Sequence, residues 1–179
     1  MEAVMNSKRE ITVYNIMLPL WLLLFWPSPL WLFLIPANYV IDRLILWWGL
    51  KGLEERSAFC RKHTWEICLA GFLGDFIGVI ILFCVSFLPE FIWEDLTEIS
   101  FFEDLMYGVG FNPFSNLVSF LVVVLAIAVS GVVIYRMDKA ILKRAGIEEN
   151  LAKAAALKLA LITAPYLYLI PSSIMYTSV

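Results

Sequence analysis

An aspartate inside a long apolar stretch is the residue of this chain with the clearest chemical potential. Asp75 is the one charged residue between Ile67 and Leu88, in the sequence ICLAGFLGDFIGVIILFCVSFL. A charge at the centre of a bilayer costs roughly 2.5–3.5 kcal/mol on insertion scales, and such residues commonly mark functional sites. We therefore interpret Asp75 as a candidate functional residue. The alternative, a structural aspartate bonded to a neighbouring helix, stays open.

Small residues surround Asp75 on one helical face, and three of them are glycines: Gly71, Gly74 and Gly78. At 100° per residue, these glycines and Asp75 fall within an arc of about 100°. Small residues let helix backbones approach each other closely in lipid, so we expect this face to pack against another helix. Ala126 and Ser130, on a later apolar segment, are the predicted packing partners.

A second polar group precedes Asp75 in the chain. Asp42 lies eight residues before the end of its apolar segment, and Asp75 lies eight residues after the start of its own. At ~1.5 Å per residue each is about 12 Å from that end, so the two residues are expected at one depth. An ion pair between Arg43 and Asp75 would satisfy two charges that are unstable alone in lipid. Asn38 lies one helical turn before Asp42 and would complete a polar cluster suited to a proton or cation relay. Alternatively, Arg43 reaches the lipid headgroups and Asp42 bonds locally.

Other combinations of reactive residues are incomplete. His63, the single histidine, lies in a basic loop, where we interpret it as an exposed side chain. Ser130 and Gly131 share part of the nucleophile context of intramembrane serine proteases, but Ala128 replaces the preceding glycine and no membrane histidine is available as a base. Metal-ligand spacings and phosphate-binding glycine loops are absent from the sequence. We therefore expect no enzyme activity, no cofactor and no bound metal.

The composition places most of the chain in lipid. Of its 179 residues, 61% are hydrophobic, against roughly 45–50% in soluble domains. A spanning helix needs about 20 apolar residues, so the length allows about five spans. We expect an all-α, polytopic helix bundle that forms a single membrane domain over residues 1–179, with its cysteines reduced.

The apolar segments are expected at about 11–26, 30–50, 67–88, 114–135 and 159–176. At ~1.5 Å per residue the first covers about 24 Å, short of the ~30 Å hydrocarbon core, so it either crosses a thinned bilayer or is re-entrant. Apolar residues at steps of three to four in the acidic stretch Glu90–Asp104 predict an interfacial amphipathic helix between segments three and four. Gly146 is the predicted stop of a fourth helix that continues out of the membrane.

The positive charges predict the orientation. Of the 13 Lys and Arg residues, Lys8 and Arg9 precede segment one, Arg43 lies at the inner side of segment two, and the others lie between segments two and three or between segments four and five. Cytoplasmic loops carry an excess of Lys and Arg. We therefore expect a multi-pass protein of the cytoplasmic membrane, with its N-terminus in the cytoplasm and its C-terminus outside.

Two functional hypotheses fit this pattern. In the first, the chain is a transporter or channel-like component in which Asp75, Asp42 and Arg43 line or gate a polar path. In the second, it is a non-catalytic accessory or assembly subunit that docks a partner through the glycine face of its third helix. Because five helices leave little room for an internal pore, we expect a homo-oligomer or a membrane-protein partner in the lipid bilayer. Nothing in the sequence indicates a nucleic-acid partner.

Overall fold

The computed structural model of the chain describes residues 19–23, 29, 31–92 and 100–175, and within these ranges the regular structure is helical. The α-helices in the described ranges are α1 Leu20–Leu23, α2 Trp31–Gly49, α3 Arg56–Ile92, α4 Ser100–Phe111, α5 Leu117–Arg144 and α6 Glu149–Thr163. Two 3-10 turns follow, Tyr166–Leu169 and Ser172–Met175. The expectation of an all-α fold is therefore confirmed for the described part of the chain.

Three helical stretches of the described residues are long and apolar enough to cross a membrane: Arg56–Pro89, Leu117–Arg144 and Glu149–Leu169. Helix α2 has 19 residues but carries Asp42 and Arg43 near its middle, and it is not one of the three. Most of the predicted first segment, 11–26, lies outside the described residues, as does part of the predicted interfacial helix. The count of five segments therefore stays a prediction.

The last two helices show how the sequence sets helix ends. Gly146 adopts a φ of 87° just after α5, and its amide and that of Ile147 bond back to carbonyls of the last turn. This is the stop predicted for the fourth helix. The predicted last segment, 159–176, is not a continuous helix, because α6 ends at Thr163. Ala164 has a ψ of 148°, as expected for a residue whose α-conformation is disfavoured by the following proline, Pro165.

The long helices pack side by side in alternating directions. Gly74 and Gly78 of α3 face Ile134 and Ser130 of α5, and further along Glu66 pairs with Arg144 at 2.7 Å. Residue numbers that rise on one helix while they fall on the other define an antiparallel pair. Helix α2 packs against α6, where a Cβ at Gly49 would lie 3.0 Å from the Cβ of Ala155.

One end of the bundle gathers positive charge, and we call it the basic end. It comprises the C-terminal ends of α2 and α5 and the N-terminal ends of α3 and α6. Lys143 and Lys153 lie 3.3 and 3.0 Å from Glu149. Arg56 stacks 3.7 Å from the ring centroid of Trp47, and aromatic side chains beside cations are typical of a membrane interface.

Two apolar clusters form the core. The basic-end cluster consists of Ile45, Leu46, Leu50, Cys60, Ile67, Leu142, Ile147, Ala152, Ala155, Ala156 and Leu159. The opposite-end cluster consists of Trp21, Val79, Leu82, Val109, Val123, Ala126, Ile127 and Tyr168. The short helix α1 is tied into the second cluster, because the Trp21 indole donates to the Val109 carbonyl at 3.2 Å.

Candidate functional site

A polar layer separates the two apolar clusters. It consists of Asp42, Cys68, Asp75, Ser130 and Asp138. On α3, the layer lies between Ile67 of the basic-end cluster and Val79 of the opposite-end cluster. Helices α2, α3 and α5 all contribute to it. Polar groups at this depth are expensive in a membrane protein, so their concentration in one layer identifies it as the candidate site.

A pocket of about 270 Å³ opens from this layer between α2, α3 and the break that follows α6. Its lining consists of Leu34, Asn38, Ile41, Phe72, Asp75 and residues 162–168. Two of the predicted site residues, Asn38 and Asp75, thus meet in one cavity. Most of the remaining lining is apolar or aromatic, and a few polar groups in an apolar cavity are the usual composition of a small-molecule site.

The helix break supplies one wall of the pocket. Beyond Thr163 the chain cannot continue as an α-helix, because Pro165 lacks an amide hydrogen and restricts the residue before it. Tyr168, in the 3-10 turn that follows, donates its hydroxyl to the backbone carbonyl of Asp75 at 2.6 Å. Non-helical backbone at membrane depth is found where it is buried in protein or lines a cavity. The break therefore positions hydrogen-bonding groups beside Asp75.

Asp75 has unused hydrogen-bonding capacity. Its Oδ1 is buried without a hydrogen-bond partner among the described residues. Ser130 Oγ, which faces Gly78 and the Tyr168 ring, is likewise buried and unpartnered within those residues. Since nearly all buried polar atoms in native proteins are satisfied by protein or water, these atoms mark places where water, an ion or a solute would bind.

The structure does not bring Arg43 to Asp75. Arg43 is exposed, and the ion pairs formed by the described residues do not include it. The reason is helical geometry: consecutive residues point about 100° apart. Asp42, at 5% exposure, turns into the bundle and directs Arg43 outward. Asp42 instead accepts a hydrogen bond from the thiol of Cys68.

The glycine face of α3 is mostly covered by the chain itself. A Cβ at Gly74 would collide with the side chain of Ile134, and one at Gly78 with the Ser130 hydroxyl and the Tyr168 ring. Gly71 has open space around it. Ser130 is thus placed against the glycine face, whereas Ala126 lies in the opposite-end cluster. The close approach of α3 and α5 is what holds Asp75 in the layer.

Sequence reasoning missed one carboxylate of the layer. Asp138 is 1% exposed, and neither of its oxygens has a hydrogen-bond partner among the described residues. It was overlooked because it lies in the basic stretch RMDKAILKR, which reads as a solvated helix end. The signal that could have found it is the four-residue repeat Ser130, Ile134, Asp138 and Leu142, which puts Asp138 on the buried face of α5.

The layer holds carboxylates from three helices. Asp42 and Asp138 are buried, and Asp75 lines the pocket. Within the described residues, no group of three His, Cys, Asp or Glu side chains is arranged to hold a metal ion. The arrangement is suited to binding a hydrogen-bonding or positively charged solute at Asp75, and to exchanging protons between neighbouring carboxylates.

The proposed function rests on the geometry of the site. The chain matches no protein-family profile, no curated protein and no solved structure to which we compared it.

Proposed function

We propose that the chain is a transport protein that binds a small solute in the pocket at Asp75 and moves it across the membrane. The observation that carries this proposal is the coincidence of a half-buried carboxylate, Asp75, with a broken apolar helix at one cavity. Discontinuous helices at membrane depth form the substrate sites of many transporters, because the break frees backbone groups to bind a ligand. The break between Thr163 and Tyr166 lies beside Asp75 in this way.

The pocket limits the solute that would fit. Its volume of about 270 Å³ is slightly below the ~300–1,000 Å³ of pockets that hold drug-sized ligands. The carboxylate of Asp75 and the amide of Asn38 favour a solute with a positive or hydrogen-bond-donating group. Phe72, Tyr166 and Leu167 favour an apolar part next to that group. Small amines and alkali cations are therefore the first solutes to test.

The proposal includes a membrane topology. The three long apolar helices support a membrane location. We propose two further segments, 11–26 and 30–50, in a multi-pass protein of the cytoplasmic membrane. The basic end would face the cytoplasm, as the positive-inside rule requires, with the N-terminus on the same side and the C-terminus outside. Either a second copy of the chain or a membrane-protein partner would complete the path.

The accessory-subunit hypothesis keeps only part of its proposed docking surface, at Gly71, which has open space around it. That hypothesis needed the glycine face of α3 to be available to another protein, and Gly74 and Gly78 are instead occupied by α5 and Tyr168. An accessory role does not account for the pocket at Asp75, whereas transport does. Transport is therefore the function that the geometry supports best.

Solute flux from vesicles tests this function. Purified protein would be reconstituted into lipid vesicles loaded with a mixture of small amines, amino acids and alkali cations, and the retained solutes would be quantified over time. We expect at least one solute to leave wild-type vesicles faster than protein-free vesicles. Asp75→Asn should abolish this difference, whereas Asp104→Asn, which changes an exposed carboxylate on α4, should keep it. Equal retention in all four preparations would contradict the proposal.

A further inference from the structure

Asp138 is a buried acidic group that does not line the pocket at Asp75. It lies on α5, one helical turn from Ile134 on one side and from Leu142 on the other. Both of its oxygens are buried and unpartnered among the described residues. The buried residues of α6, which packs against α5, are Ala152, Ala155, Ala156, Leu159 and Ala160, and none of them titrates. In the stretch of α3 between Glu66 and Gly74, which lies beside Asp138, the titratable residue is Cys68, and the buried titratable residue of α2 is Asp42.

The surroundings of Asp138 select the kind of cation that could neutralise it. A hard metal cation such as Ca²⁺ takes about 6–8 oxygen ligands, whereas a proton binds to a single carboxylate oxygen. The helical neighbours of Asp138 on its buried face are aliphatic, and the backbone carbonyls inside α5 are engaged in the helix. A proton is therefore the cation that fits this position.

Asp42 lies at the same level of the bundle as Asp138. Asp42 bonds to Cys68 of α3, and Asp138 lies between Ile134, which faces Gly74 of α3, and Arg144, which pairs with Glu66 of α3. The Cys68 thiol donates a hydrogen bond to Asp42 and holds it in the layer. Asp138 is six residues before Arg144, the last residue of α5, which places it about 9 Å from the basic end at ~1.5 Å per residue. Asp42 and Asp138 thus both lie beside the stretch of α3 between Glu66 and Gly74, nearer the basic end than Asp75, which lines the pocket.

We propose that Asp42 and Asp138 form a proton pathway between the pocket at Asp75 and the basic end of the bundle, so that solute movement is coupled to protons. In each step a carboxylic acid releases its proton and the next carboxylate, or a water molecule between them, accepts it. The O–H bond that breaks is replaced by one that forms, and no other reactant is needed. This inference rests on the transport function proposed above.

Infrared spectroscopy tests the pathway without a known solute. The carbonyl stretch of protonated carboxylic acids would be recorded against pH for the purified protein in lipid nanodiscs. We expect a component that titrates and is lost in Asp138→Asn, while Asp138→Glu keeps a component at a shifted frequency. Asp42→Asn should shift the pH midpoint of the Asp138 component, because interacting groups titrate together. Asp104→Asn, the control on α4, should leave that midpoint unchanged.

Two results would overturn the pathway. One is a carboxyl component that Asp138→Asn removes but that stays constant over the whole pH range, as expected of a purely structural residue. The other is an Asp138 midpoint that does not respond to Asp42→Asn.

The vesicle experiment separates this inference from the transport function. Flux that is lost in Asp75→Asn but is the same in Asp138→Asn as in the wild type, at every imposed pH difference, leaves the function standing and removes the proton pathway. Flux that is absent throughout removes the transport function and, with it, the coupling of solute to protons. Wild-type flux that follows the pH difference and becomes independent of it in Asp138→Asn supports both proposals.

Discussion

Individual residues determine how closely α3 and α5 approach each other. At Gly78 the space that a side chain would need is filled by the Ser130 hydroxyl and the Tyr168 ring. The same tyrosine donates a hydrogen bond to the carbonyl of Asp75. A single glycine therefore maintains both the helix contact and one wall of the pocket.

The substitution Gly78→Ala should destabilise the protein, because its Cβ forces Ser130 and Tyr168 to move. Overpacking of this kind typically costs about 1–3 kcal/mol. The matched control is Gly71→Ala on the same helix, where nothing lies within 4 Å of the added Cβ; there the higher helix propensity of alanine favours the fold by up to ~1 kcal/mol. Unfolding in mild detergent, followed by circular dichroism, would compare them. Equal stability of the two variants would show that the glycine face is not packed as described.

At the scale of elements, the sequence predicted helices better than their ends and their buried faces. Gly146 was identified as the stop of α5 because its chemistry is local, and the structure confirms it. The break after Thr163 was missed as a boundary, although Pro165 and Pro171 were visible, because prolines are tolerated within membrane helices when neighbours satisfy the freed backbone groups. Which of these outcomes occurs depends on tertiary contacts, here Tyr168 with Asp75.

The polar layer likewise shows that the sequence alone does not specify which side chains meet in the folded bundle. Asn38 and Asp75 could be linked from sequence because both stand out in apolar segments, and they meet in one pocket. The pairing of Arg43 with Asp75 rested on equal depth, which does not specify the direction of a side chain around the helix. Asp138 lies among basic residues, so local composition concealed it. Asp138 lies on the face of α5 whose residues Ile134 and Ser130 pack against α3, so its burial is a property of the packed bundle.

The start of α5 offers an element-scale prediction. Asn116 caps this helix, because its side-chain oxygen accepts a hydrogen bond from the Ser119 amide at 2.8 Å. Replacement of such a cap by alanine typically costs about 1 kcal/mol. We expect Asn116→Ala to lower the free energy of unfolding in detergent by about this amount, and Asn116→Asp, which keeps a cap acceptor, to restore most of it. An Asn116→Asp variant as unstable as Asn116→Ala would argue against the cap.

At the scale of the whole molecule, charge and polarity are arranged along the bundle. Most cations of the described residues lie at the basic end. An apolar cluster follows, then the polar layer, and then a second apolar cluster. A layer of carboxylates between two apolar clusters has no role in packing that aliphatic residues would not perform as well. The transport proposal attributes the layer to function, and its central claim is that water and a solute enter the pocket at Asp75.

Thiol accessibility of the pocket tests this central claim most directly. Cys84 is the exposed cysteine of the three, so a Cys84→Ser background would carry either Asn38→Cys, in the pocket, or Val40→Cys, which is two residues along α2 and outside the set of residues that line it. A charged methanethiosulfonate reagent, which reacts with thiols in water, would be added to intact membranes. We predict that Asn38→Cys reacts and Val40→Cys does not. An unreactive Asn38→Cys, or equal reaction at both positions, would contradict a water-accessible pocket at Asp75.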